Sequence, residues 1–138
     1  MLTVGDVVNH KQEAQLADNL KSLDPSALWD VAYKVGMAAG EAILPVPMTV
    51  VNSHNPNERY HVSEGMCGFA WVNVKPGTSK FARWLKTNAD GYKDYHGGIS
   101  VWISEFGQGI ARKEACAKAI ARVLRLAGIT AYGQSRLD

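Results

Sequence analysis

The chain reads as an α+β fold: an N-terminal helical pair, then a compact mixed sheet in the order ββαβαβ with helices packed on it. Three stretches predict this. Residues 67–74 (CGFAWVNV) carry apolar side chains on both alternating sets, Cys67, Phe69 and Trp71 one way, Ala70, Val72 and Val74 the other. A strand of that kind belongs inside a sheet covered on each side, so Trp71 is expected to be largely buried. Residues 99–103 form a half-buried strand, a helix follows over 111–127, and the single residue Gly128 leads into a strand at 129–132. That is a βαβ unit, which places its two strands parallel in one sheet. Finally, Asp24-Pro25 sets a capping side chain before a proline at the first helical position, where the missing N–H costs nothing.

Taken in order, residues 7–22 have a weak helical period through Val7, Val8, Ala14, Leu16 and Leu20. From Pro25 the stripe Leu28, Ala32, Val35, Ala39, Ala42 steps by four and three to about Ile43. Gly36 and Gly40 lie four apart on this helix, a spacing that admits another backbone closely. Pro45 and Pro47 end it. Residues 48–52 are a short strand expected beside the central one, and 53–65 (SHNPNERYHVSEG) a polar, turn-rich loop. After 67–74, Lys75-Pro76-Gly77 breaks the ladder. Thr78 or Ser79 caps a helix over 79–88 on which Phe81, Trp84 and Leu85 share a face. A second polar connection, 89–98, holds Tyr92, Tyr95 and His96. On the last helix Cys116, Ala119, Ile120, Val123, Leu124 and Ala127 make the apolar face, and Glu114, Lys118, Arg122 and Arg125 the opposite one. Residues 1–44 thus read as a helical segment that contacts a partner, and 45–138 as the α+β core.

A chain of 138 residues with 46% apolar and 20% charged residues is an ordinary globular domain that buries roughly 68% of its unfolded surface. Its two cysteines make no disulfide framework, and no apolar run is long enough to span a bilayer. A reducing cytoplasm, or a particle assembled there, is the expected setting. Residues 1–66 carry four basic and eight acidic side chains, and 67–138 eleven and five, so net charges of −4 and +6 give the whole +2. The split points either to an acidic partner for the C-terminal part or to neutralisation by the N-terminal part.

No catalytic constellation stands out. Cys67 begins an apolar strand and Cys116 sits on an apolar helix face, settings that leave thiols inert. His54, His61 and Cys67 are spaced by seven and six, which matches no metal-ligand pattern. Gly107-Gln108-Gly109 lacks the third glycine or the Gly-Lys-Ser/Thr of phosphate loops and reads as a strand-to-helix turn. No cofactor is implied.

Two resemblances add expectations. GQGIARKEACAKAIARVLRLAG resembles the C-terminal part of double-stranded RNA-binding domains, with Arg112 and Lys113 where phosphate contacts would stand. GMCGFAWVNVKPGTSKFARWL, GGISVWISEFGQG, ARKEACAKAIARVL and the ending GITAYGQSRLD resemble a family of small uncharacterised proteins of tailed bacteriophages and prophages. That likeness, from about Val50 to Asp138, implies phage origin and a place in the virion or the host cytoplasm. The expected function is therefore a non-enzymatic structural or assembly protein contacting other virion proteins or a second copy of itself. Its contact residues would be Gly36, Gly40, His54, Arg59, His61, Tyr92 and Tyr95. The alternatives are a nucleic-acid binder using Arg112, Lys113, Lys118, Arg122 and Arg125 on the 111–127 helix, or an inhibitor of a host defence system that binds a host protein.

Overall fold

The computed structural model describes residues 4–52, 54–62 and 65–138. Helices α1 (Val4–Lys21) and α2 (Pro25–Ala42) lead, followed by strands β1 (Met48–Asn52), β2 (Asn55–Val62) and β3 (Gly68–Lys75). Then come α3 (Lys80–Asn88), β4 (Tyr92–Lys93), β5 (Ile99–Trp102), α4 (Ile110–Leu126) and β6 (Thr130–Leu137). The architecture is α+β with the N-terminal helical pair in place.

Local chemistry sets the ends of these elements. Asp24 Oδ1 accepts from the Ala27 N–H at 2.8 Å, and Ser79 Oγ from Ala82 N–H at 3.3 Å, which satisfies a donor that the first turn leaves open. Gly128 ends α4 with φ +86°, and the next N–H, of Ile129, returns to Leu124 O at 3.0 Å.

The main sheet has the order β4-β5-β3-β6. β5 and β6 are each antiparallel to β3, so they run parallel to one another and are joined by α4, as the single-glycine connection predicts. They are not neighbours, however. β3 lies between them, so every hydrogen-bonded pair is antiparallel and the sheet is not mixed. The path β3-α3-β4-β5-α4-β6 is the split βαβ connectivity.

Three expectations are corrected here. β1 does not lie beside the central strand; it pairs with β2 in a separate two-stranded sheet. The 53–65 stretch is not all loop, since Asn55–Val62 is a strand whose polar residues hid its pairing. β6 runs to Leu137 rather than ending at 132, because all eight residues of β3 have a partner on it.

The core lies on one face of the main sheet. Ala70, Val72 and Val74 of β3, Ile99 and Val101 of β5 and Ala131 of β6 meet Ala117, Ile120, Ala121 and Leu124 of α4 and Phe81, Ala82 and Leu85 of α3. α2 packs along α4 through Leu28, Ala32, Gly36 and Gly40. A Cβ at Gly36 would stand 2.5 Å from Ile120 Cγ1 and 3.0 Å from Cys116 O, so the glycines bring the two helices together. Both glycines are thus occupied by a contact within the chain.

No helix among the described residues packs on the other face. Trp71 is accordingly half-buried rather than largely buried. Its ring lies among other sheet side chains, with no helical layer over it. β3 is an inner strand, as its two-sided apolar pattern predicts, but only one of its faces carries a helical layer.

Candidate functional site: the open face of the sheet

Alternation along β3 sends Phe69, Trp71, Asn73 and Lys75 to the open face. Register then fixes their neighbours. Trp102 and Gln134 flank Trp71, Arg136 lies opposite Phe69, Ser100 and Tyr132 flank Asn73, and Tyr92 lies opposite Ser100.

Trp102 is the hub of the aromatic set. Its ring lies 5.2 Å from Trp71, 5.6 Å and edge-on from Phe69, and 6.3 Å and nearly parallel to Tyr92. These separations are those of favourable aromatic pairs. Trp102 keeps 39% of its surface exposed and Tyr132, across the sheet, 52%. Trp71 Nε1 donates to Gln134 Oε1 at 2.7 Å, which holds that indole against the sheet.

Cations frame the rings. The Arg136 guanidinium stands 5.4 Å from the Phe69 centroid and the Lys113 ammonium 5.7 Å, while Arg125 lies 5.8 Å from Tyr132. Arg125 also donates to Ala131 O at 2.8 Å, which fixes it at the outer edge of β6. Lys75 is exposed on the same face.

The polar end of the face is built on Asn73. Its Nδ2 donates to Gly97 O and Ser100 Oγ, each at 2.9 Å, and the Ser100 hydroxyl donates to Asp94 Oδ2 at 2.6 Å. That hydroxyl and the His96 N–H hold the Asp94 carboxyl below its ordinary range. Tyr92 is pushed up from its ordinary value, first by burial and then by Asp94.

The residues expected at a site are scattered. Tyr92 belongs to the aromatic set, but Tyr95 is 96% exposed in the loop, edge-on to His96. His54 and Arg59 are exposed on the β1–β2 hairpin, and the side chain of His61 lies outside the described residues. The five basic residues of α4 do not form one face. Lys113 is buried, 7% exposed, and donates to Gly68 O at 3.3 Å. Lys118 pairs with Glu114 at 2.8 Å, and Arg122 with Glu13 of α1 at 3.7 Å. Arg112 is half-buried near the start of α4, beneath Gly40 of α2. Only Lys113 and Arg125 reach the aromatic face. α4 is moreover followed by the long paired strand β6, which a helix closing a double-stranded RNA-binding domain is not.

Sequence reasoning missed Phe69, Trp71, Trp102, Tyr132 and Arg136 as a group. The available signal was that aromatic residues fall on one alternating set of β3 and recur at Trp102 and Tyr132. From sequence alone that alternation predicts a second core face.

Burial pushes the Cys116 thiol up to about 12, so it stays protonated and unreactive at neutral pH. Among the described residues no cluster of three His, Cys, Asp or Glu side chains could hold a metal, and no helix is long and apolar enough to cross a membrane. No family model, no curated protein and no solved structure matches the chain.

Proposed function

We propose that the protein binds single-stranded nucleic acid on the open face of its sheet. The observation that supports this is the aromatic run Tyr92–Trp102–Phe69/Trp71, left without a covering helix and bordered by Arg136, Lys113, Arg125 and Lys75. Every base has a π-face, and each base stacked on an aromatic side chain contributes about 1–3 kcal/mol. The cations supply the backbone attraction, which is independent of sequence. In a duplex the bases are already stacked on one another, so a flat aromatic sheet favours unpaired strands. Four-stranded sheets bearing stacking aromatics serve this purpose in other RNA-binding modules; that parallel is one of architecture alone.

The test is fluorescence quenching by 12-mers of deoxythymidine and of uridine, and by a duplex of equal length. Quenching is expected with the single strands and little with the duplex, and Trp102→Ala or Phe69→Ala should weaken it by about thirtyfold each, the middle of the stacking range. Equal binding of the duplex, or variants that bind as the wild type does, would overturn the proposal.

A second reading has its own observation. Leu44 and Val46, just before the β1–β2 hairpin, are 88% and 81% exposed, and Val51 within β1 is also exposed; that hairpin forms a sheet separate from the main one. Exposed apolar side chains of this kind suit a protein contact. They support a structural or assembly role in a tailed-phage virion, the role that the phage resemblance implies. Purified virions that lack the protein would refute that role. Its loss from virions on Leu44→Ser with Val46→Ser would support it.

A further inference from the structure

The outer edge of β5 is paired only over part of its length. β4 meets it at Ser100 and Ile99 and then departs, because Asp90 takes φ +57° and the Gly91 N–H turns back to Leu85 O. Ile103 N–H donates inward to Ala70 O at 2.9 Å. By alternation Trp102 and Ser104 therefore direct their backbone groups to the opposite, outer edge, where β4 no longer runs. An uncovered edge is a template for another strand.

A cavity of about 380 Å³ lies along this edge, lined by residues 101–105, by Trp29 and Tyr33 of α2 and by Asn88, Ala89 and Asp90. Among the described residues no lysine or arginine lines it, whereas two carboxylates, Asp90 and Glu105, do. Tyr33 donates to Glu105 Oε1 at 2.6 Å, so the carboxylate is held in place with its second oxygen outside that bond. The Trp29 and Tyr33 rings stand 6.4 Å apart on one wall. A shallower hollow continues past them to Trp84 and Asp30, the latter ion-paired with Lys34 at 3.0 Å.

We infer that this edge receives an extended peptide segment carrying lysine or arginine, which adds to the sheet beside Trp102 and Ser104 where β4 stops. Main-chain hydrogen bonds to the strand supply affinity, and alternate side chains supply selectivity. One basic side chain would enter the cavity, where aromatic faces and the Glu105 carboxylate both favour a cation. The site is the backbone edge and the helix side of β5, separate from the aromatic face proposed for nucleic acid.

The test uses an octapeptide of alternating valine and lysine, with two counterparts. One replaces lysine by glutamate, and the other is the lysine peptide N-methylated at alternate backbone nitrogens. Binding is followed by amide NMR shifts and by hydrogen exchange at Trp102 and Ser104. The lysine peptide is expected to bind saturably, to slow exchange at those two amides, and to weaken by at least about fivefold in Glu105→Gln, with Glu41→Gln, exposed in the last turn of α2 and outside the cavity lining, as the unaffected control. Either counterpart binding as well as the parent would overturn the inference, as would shifts mapping elsewhere or the absence of saturation at millimolar peptide. Retained oligonucleotide binding in Glu105→Gln shows that the variant is folded and that the sheet face is unaffected.

Discussion

Gly133→Ala should be among the most damaging single substitutions in the protein. Gly133 lies opposite Val72 on the side of β6 that faces α4. A Cβ built there falls 2.6 Å from Lys118 N, 2.7 Å from Ala117 C and 2.8 Å from Lys118 Cα. All three are backbone atoms, so no rotamer change relieves the clash. To restore an ordinary 3.4 Å contact the helix and strand must separate by about 0.8 Å, the difference between 3.4 and 2.6 Å. A gap of 0.5–1 Å forfeits a quarter to a half of the dispersion well for the atoms facing it. The helix–strand contact there includes Ala117 and Ala131, both fully buried. Overpacking costs typically about 1–3 kcal/mol, and an immovable backbone places this site near the top, at about 3 kcal/mol. For a domain of this size that is a fall in Tm of roughly 10 °C. The assay is urea and thermal unfolding followed by circular dichroism. Gly77→Ala is the control, since its nearest neighbours would be an ordinary 3.5 Å away. A Gly133→Ala protein within about 0.5 kcal/mol of wild type would refute the close-approach argument.

Trp71→Ala should cost about 1–2 kcal/mol, less than the roughly 3–5 kcal/mol of a fully buried aromatic, because the residue is only half-buried; unfolding curves decide between the two. Gly36→Ala should destabilise despite the helix-propensity gain, by about 1–2 kcal/mol, because Ile120 and Cys116 O leave no room for a methyl; a more stable variant would contradict the α2–α4 packing. Stability should decline on the alkaline side. Cys116 and Tyr33 are both raised to about 12, from ordinary values of 9.0 and 10.0. The unfolded chain loses these protons first, so the stabilisation is complete below about pH 9 and is lost as pH rises toward 12. The slope is at most about 1.4 kcal/mol per pH unit for the buried Cys116 and smaller for Tyr33, which solvent screens. Tyr33→Phe should flatten the upper part of that decline in a pH series of Tm values, and an unchanged profile would contradict the Tyr33–Glu105 bond.

Most of the fold was legible because local signals agreed. Asp24-Pro25, Ser79 and Gly128 mark helix ends through hydrogen bonds that involve only neighbouring residues, and the structure makes those bonds. The parallel relation of β5 and β6 followed from a one-residue connection. What stayed hidden depends on contacts distant in sequence. Nothing local in the polar run of β2 announces a partner, and β6 extends to Leu137 because β3 is there to pair with it. The candidate site was missed for a related reason. Phe69 and Trp71 have the same alternation whether a helix or water lies above them, and only the placement of α3 and α4 on the opposite face decides. Cation positions were likewise unreadable. Arg122 finds Glu13 and Arg125 finds Tyr132 only after α1 and β6 have docked.

The salt dependence of single-strand binding tests the central claim most directly. Lys75, Arg125 and Arg136 are the exposed cations of the aromatic face. Three phosphate contacts on a single strand give a log–log slope of about −2, at roughly −0.7 per contact, and a loss of about 20-fold between 50 and 200 mM salt. Arg136→Ala should reduce the slope by about 0.7, while Trp102→Ala should lower affinity at every salt concentration and leave the slope unchanged. A slope near zero, or a Trp102→Ala protein that binds as tightly as wild type, would contradict the account.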